Sequence, residues 1–332
     1  MSSAFRVRSL ETKNGAQLTS HVSRLTYIFP GQGSQYVGMG KSLYENFKVA
    51  KDTFEEANEA LGLKISDLCL NGPEADLKLT YNTQPAILTT SIAALRALSS
   101  ETPLKPSVLA GHSLGEYAAL VTSEALTFWD AVRLVRARGK YMDEAVPAGT
   151  GGMAAILGME KDKVERLCKE ASKGEVVVPA NFNCPGQIVI SGHAGAVTRA
   201  VELAKELGAK AIPLPVSAPS HSPLMEPAGA RLSKELEKIG VMDIKYPVIS
   251  NADADFYPSR DKVAELLVKQ LSHPVRWEES VAKAVAEGTE AFIEIGPGKV
   301  LCGLLKRINK EFKSFNVEDV DSLKAVQNSF KA

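Results

Sequence analysis

A short apolar run, Val108-Leu-Ala-Gly111, leads into His112-Ser113-Leu114-Gly115, and the helix-compatible segment Glu116-Tyr-Ala-Ala-Leu120 follows at once. Gly-x-Ser-x-Gly placed between an apolar run and a helical pattern reads as strand, sharp turn, helix, with Ser113 at the apex. Such a turn needs glycine on either side of the serine, because a side chain at Gly111 or Gly115 would crowd the tightly folded backbone. The turn also lifts the hydroxyl clear of the sheet and sets it at a helix N-terminus, where unpaired N–H groups and the helix dipole stabilise an oxyanion. A glycine-flanked serine that only caps its helix is the plainer alternative.

Around this unit the chain alternates between strands and helices. Leu25–Phe29 reads as a first strand that breaks at Pro30-Gly31-Gln32-Gly33-Ser34-Gln35. Helical patterns follow over 41–61 and 84–98, the second capped by Thr83 with Pro85 in its first turn. After the serine unit comes a helix over about 127–144. Residues 151–216 change texture: strand 153–157, helix 161–171, strands 176–180 and 187–191, helix 194–207 and strand 211–216, the βαββαβ order of a ferredoxin-like unit. Alternation then resumes with a helix near 222–239, a strand at 247–250, helices at 261–271 and 277–287, a strand at Ala291–Ile295 and a helix after Gly298. The expected fold is therefore α/β, a hydrolase-like core over residues 25–150 and 217–332 whose mostly parallel sheet is flanked by helices. The ferredoxin-like small domain, 151–216, is inserted into it, and the cleft between the two is the default place for a site.

With 45% hydrophobic and 23% charged residues over 332 positions, the chain has ordinary globular composition and enough length for a substantial core. Lysine plus arginine and aspartate plus glutamate balance at 39 each, so no basic field argues for nucleic acid or a membrane surface as partner. No run approaches the ~18 apolar residues that a membrane helix requires. Cys69, Cys168, Cys184 and Cys302 are scattered, without a Cys-x-x-Cys pair or clustered histidines, so no metal site is expected and the cysteines read as reduced thiols. Residues 1–24 carry Arg6, Arg8, Lys13 and Arg24 against Glu11 and lack the apolar core of a secretory signal. They read as a loose N-terminal extension of a cytoplasmic, monomeric protein, with an organelle transit peptide as the alternative.

Phosphate binding by the glycine-rich loop fails on spacing. A dinucleotide pattern starting at Gly31-x-Gly33 needs glycine where Tyr36 stands, and Gly40-Lys41-Ser42 lacks the leading glycine because Gln35 occupies that place. On a helical wheel of about 100° per residue, Ala131, Leu134, Val135 and Met142 share one face and Arg138 falls among them, with Arg133, Arg136 and Lys140 opposite. An arginine that points where the apolar stripe points needs an anion, unless it lies at the stripe's edge and snorkels to water. A serine nucleophile needs a base, and histidine is the natural one. His21 lies in the extension, His112 adjoins Ser113 and should point away from it, and His193 ends a small-domain strand. His221, where the chain leaves the small domain, and His273 remain as candidates.

Eight motifs then stand in the order seen in malonyl-CoA:acyl carrier protein transacylases: Phe29-Pro-Gly-Gln32-Gly-Ser-Gln35, Asn82-Thr-Gln-Pro85, Gly111-His-Ser-Leu-Gly-Glu116, Arg138-Gly-Lys140, Asn181-Phe-Asn-Cys-Pro-Gly-Gln187, Pro219-Ser-His221, Gln270-Leu-Ser-His-Pro-Val275 and Glu294-Ile-Gly-Pro-Gly-Lys299. The resemblance spans about residues 25–310 and leaves the tail after about 312 outside it. It implies Ser113 as the nucleophile that takes malonyl as an ester, His221 as its general base and acid, and the backbone N–H groups of Gln32 and Leu114 as the oxyanion hole. It implies Arg138 as the partner of the free malonyl carboxylate, and a main-chain carbonyl near Gln270 in place of the usual carboxylate behind the histidine. Malonyl-CoA and acyl carrier protein would be the substrates, with no metal or redox cofactor. Carrier proteins are acidic as a class, which makes Lys299, Lys306, Arg307 and Lys310 candidates to meet them, with an ordinary solvated face as the plainer reading. A free-standing polyketide acyltransferase, a serine hydrolase or thioesterase, and a non-catalytic carrier-docking module are the alternatives.

Overall fold

The strands, in chain order, are β1 (Leu25–Phe29), β2 (Val108–Gly111), β3 (Gly151–Leu157), β4 (Val177–Cys184), β5 (Gln187–His193), β6 (Lys210–Pro213), β7 (Val248–Ile249), β8 (Ala291–Ile295) and β9 (Lys313–Val317). They belong to a computed structural model that describes residues 24–216 and 218–330. The five strands outside 151–213 form one sheet of order β7-β2-β1-β8-β9, each neighbouring pair parallel. Strands β1, β2, β7 and β8 are buried along their whole length and largely apolar because both faces are covered, whereas the edge strand β9, Lys-Ser-Phe-Asn-Val, stays partly exposed. Tyr27, Phe29, Leu109, Ile293 and Ile295 pack into the main core on one side. Ile28, Val108, Ala110, Ile249 and Phe292 pack with Trp277, Leu301 and Leu305 on the other.

The remaining four strands form an antiparallel sheet of order β4-β5-β3-β6, the ferredoxin-like arrangement expected from the βαββαβ pattern. Helices Lys161–Ser172 and Ala194–Glu206 cover one face, around Ala154, Ile156, Ile188 and Ile190. The alternate residues Met153 and Val189 point from the opposite face, with Leu214 and Val216 beside them. A parallel bridge between Asn181 of β4 and Val275 stitches this sheet to the larger unit, through Phe182 N to Val275 O at 2.9 Å and Val275 N to Ala180 O at 2.8 Å.

Several boundaries differ from the sequence expectation. The single helix expected over 41–61 is two, Lys41–Asn46 and Lys48–Leu61, because Phe47 adopts an extended backbone and packs on the core. The helix expected at 84 begins a turn earlier, as Thr80–Glu101. Pro85 lies inside it, and the Thr83 hydroxyl bonds back to Leu77 O at 2.5 Å instead of capping. The 222–239 segment is a short 3₁₀ turn, Pro223–Met225, followed by Glu226–Leu236. The last strand of the small sheet stops at Pro213; Leu214 N still donates to Met153 O at 2.9 Å, and Pro215 beyond it has no N–H to continue the ladder. The tail adds the edge strand β9 and the helix Val320–Ser329, whose Asp319 and Ser322 form a capping box. Residues 1–23 lie outside the described residues, and so does His21. Arg24 already belongs to the fold: its carbonyl accepts from Glu290 N at 2.9 Å, and its Nη1 donates to Glu287 O at 2.7 Å. Among the described residues no helix is long and apolar enough to cross a membrane.

Candidate active site

Ser113 sits between β2 and the helix Gly115–Thr122 with φ of 50°, the left-handed backbone of a sharp turn. The flanking glycines are there for space. A Cβ on Gly111 would stand 2.0 Å from the Gly115 carbonyl carbon, and one on Gly115 would stand 2.0 Å from Phe29 O of β1. Asn251, just past β7, clamps the turn: its Oδ1 accepts from Ser113 N at 2.6 Å and its Nδ2 donates to Gly111 O at 2.6 Å. The amide of the serine itself is thus committed.

His221 reaches the serine. Its Nε2 lies 2.8 Å from Ser113 Oγ, and its Nδ1 lies 2.8 Å from the main-chain oxygen of Gln270, the C-terminal part of the helix Val263–Ser272. A carbonyl only accepts, so Nδ1 carries the hydrogen and Nε2 faces the hydroxyl as an acceptor. The ring is 3% exposed, and burial, reinforced by the Arg138 charge, pushes its pKa down to about 3. The other histidines are placed elsewhere. His112 turns from the serine to Asn183 Oδ1 at 2.8 Å and packs on Trp277. His193 accepts from Val176 N at 2.9 Å in the small sheet. His273 is exposed on Lys269 O.

Arg138 lies on the buried face of the helix Phe128–Glu144, 1% exposed, with Ala131, Leu134, Val135 and Met142 as the wheel requires. The helix starts where expected, Thr127 capping Asp130 N at 3.0 Å. Arg138 Nη1 donates to Gln84 Oε1 at 2.8 Å, and Nη2 donates to Gln270 Oε1 at 3.0 Å and Ser113 Oγ at 3.1 Å. Among the described residues no carboxylate forms an ion pair with it, and its Nε has no acceptor. Burial pulls its pKa down, a direction that the nearby Tyr117 and Glu116 oppose.

These groups open onto a cavity of about 220 Å³ between the two sheets, walled by Gln32, Leu114 and Ser220 on one side and by Met153, Val189 and Leu214 of the small unit on the other. Gly31 lets the glycine-rich loop lie against the serine turn, since a Cβ there would stand 2.4 Å from His112 O. Gln32 and Leu114 both line the cavity. Among the described residues neither backbone N–H is donated to a protein acceptor, which leaves both free for an oxyanion.

An acyl transferase domain profile matches residues 26–328. The malonyl CoA-acyl carrier protein transacylase of Bacillus subtilis is 51% identical over 312 residues, 93% of this chain and 98% of that one. The chain belongs to the malonyl CoA-acyl carrier protein transacylase family. The crystal structure of the Clostridium perfringens transacylase superposes with a TM-score of 0.89 at 45% identity, covering 92% of this chain and 96% of that one. A malonyl-transacylase in complex with a type II polyketide synthase acyl carrier protein superposes at 0.90 with 44% identity, covering 92% and 99%. The profile match takes in the tail after about 312, beyond the span of the eight motifs. The enzyme is an acyltransferase, and the residues that its sequence alone left unassigned are the supports of the site. Gln84, Asn251, Glu116 and Tyr257 each bond to a group already named. Gln84 and Glu116 stood inside quoted motifs, and Asn251 follows a parallel strand, where sites of open α/β sheets lie.

Proposed function

We propose that this enzyme transfers the malonyl group of malonyl-CoA to the phosphopantetheine thiol of acyl carrier protein, supplying fatty-acid synthesis from the cytoplasm. The observation that carries the reading is a buried arginine with no carboxylate partner among the described residues, 3.1 Å from the serine hydroxyl that faces a neutral histidine. Ser113 Oγ attacks the thioester carbonyl as its proton passes to His221 Nε2. The N–H groups of Gln32 and Leu114 hold the tetrahedral oxygen, and the C–S bond breaks with the proton delivered to the CoA sulfur. The carrier thiol attacks the malonyl ester by the same steps in reverse. Both halves are acyl exchanges at one carbonyl and call for neither metal nor redox cofactor. Arg138 takes the free carboxylate through its fork. Acetyl-CoA has no carboxylate to offer and leaves the guanidinium buried and unpaired, so it is rejected by what it fails to satisfy.

Intact-mass measurement tests this in one series. Malonyl-CoA alone should add one malonyl mass, carrier protein should remove it, and Ser113→Ala should abolish it. Arg138→Ala should slow malonyl loading by about 10²-fold or more while acetyl loading holds or rises, and Arg138→Lys should recover only part. Equal loss of both acyl groups would make Arg138 a structural residue. Fast CoA release without carrier protein would favour a hydrolase.

A further inference from the structure

Gln270 sits between a group that only donates and groups that only accept. Its Oε1 takes a hydrogen bond from Arg138 at 3.0 Å, while its Nε2 gives one to Glu116 Oε2 at 2.7 Å and one to Ser113 O at 2.9 Å. Both amide hydrogens are spent. Turned over, the amide would set nitrogen against guanidinium and oxygen against two acceptors, so one orientation is allowed. Glu116 is itself fully buried, in the first turn of the helix Gly115–Thr122. Its Oε1 accepts from the Tyr257 hydroxyl, and its Oε2 accepts from Asn251 N at 3.0 Å. Burial pushes its carboxyl up to about 7, against the pull of these donors. The transfer chemistry described above makes no use of this carboxylate.

We propose that Glu116 is a positioning residue for acyl selectivity: by holding the Gln270 amide through its nitrogen, it keeps the amide oxygen on Arg138 and the guanidinium beside Ser113. This rests on the function proposed above. The main-chain oxygen of Gln270 that receives His221 is held by its helix, not by the side-chain amide. Glu116 therefore acts on the choice of acyl group and not on the base.

What matters in this arrangement is the reach of an acceptor oxygen, more than charge. Glu116→Gln keeps that reach, because its oxygen can face Gln270 and Asn251 while its amino group turns to Tyr257, whose hydroxyl can accept. Glu116→Asp keeps the charge and withdraws the oxygens by one methylene. In single-turnover loading of the full chain, the malonyl-to-acetyl rate ratio should fall about five- to tenfold in the Asp variant and stay within about twofold in the Gln variant. Tyr257→Phe, which leaves the acceptor for Gln270 in place, should behave like Gln. The reverse order of Asp and Gln would mean that Glu116 acts by its charge and would overturn the proposal. So would an unchanged ratio in Asp, a parallel loss of both acyl groups, or a shifted ratio in Tyr257→Phe. An unaltered enzyme that loads malonyl no faster than acetyl would sink the function itself, a failure visible before any variant is made.

Discussion

His221 is a histidine that the fold keeps uncharged. Its pKa, pushed down to about 3 by burial and by Arg138, leaves the neutral imidazole as the form held throughout the ordinary working range. Malonyl loading of Ser113 should therefore stay flat from about pH 8 to about pH 5, with no one-proton step near the usual histidine value of about 6.5. Quenched single-turnover rates across that range check this, and a clear step near 6.5 would contradict the burial argument. The stability consequence has a definite sign. The unfolded chain takes up the histidine proton more readily, so this group destabilises the fold as pH falls below about 6.5. Glu116, raised to about 7, works oppositely, its burial costing more as pH climbs from its ordinary range toward 7. Sequence left His221 and His273 open until the family resemblance chose between them. The distinction is one of geometry, because both follow polar segments near helix ends, yet one faces the serine and the other faces water.

At the scale of elements, the site depends on how closely two helices approach. Gly139, next to Arg138, lies against the first turn of the helix Thr80–Glu101, where a Cβ would stand 2.7 Å from Tyr81 Cα and 2.8 Å from Thr80 O. These are backbone atoms, which cannot swing aside. Gly139→Ala should push the Phe128–Glu144 helix outward and pull Arg138 off Gln84. The expected cost is about 1–3 kcal/mol of stability, the range for overpacking, together with a lowered malonyl-to-acetyl ratio. Thermal unfolding and the loading ratio measure the two effects, and an alanine variant that changed neither would show that the helices have slack here. The same contact explains why this helix starts at Thr80 and not at the local cap signal. The sequence shows Thr83 and Pro85 as an N-terminus, but the preceding turn is packed from outside by a helix more than forty residues away in the chain, which no local pattern displays.

For the whole molecule, the cavity opens beside the helix Val300–Ile308, whose Val300, Leu301 and Leu304 wall it. Lys299, Lys306, Arg307 and Lys310 are exposed around that helix. Lys299 pairs with Glu318 at 3.6 Å, and Arg307 bonds Gln187 of β5. A net charge of zero thus coexists with a local basic rim around this helix. If this rim steers an acidic carrier protein, transfer to carrier should weaken with salt more steeply than loading from malonyl-CoA. Stopped-flow rates of the two halves over a salt series decide it, equal slopes removing the rim from the mechanism.

By itself the sequence determined the alternation of elements, the inserted ferredoxin-like unit, the strained serine turn and the misplaced arginine on an apolar stripe. Each is a local signal: a period, a glycine pair, a single residue on the wrong face of a wheel. Only the tertiary structure decided that Asn251 would spend the serine's own N–H, that Gln270 would serve His221 with its backbone and Arg138 with its side chain, and that Glu116 would stand behind it. These contacts join residues from 132 to 154 positions apart, or 49 in the case of His221 and Gln270. Their cause is the burial of polar groups that must find partners in space, and a polar side chain's partner is not written in the residues beside it.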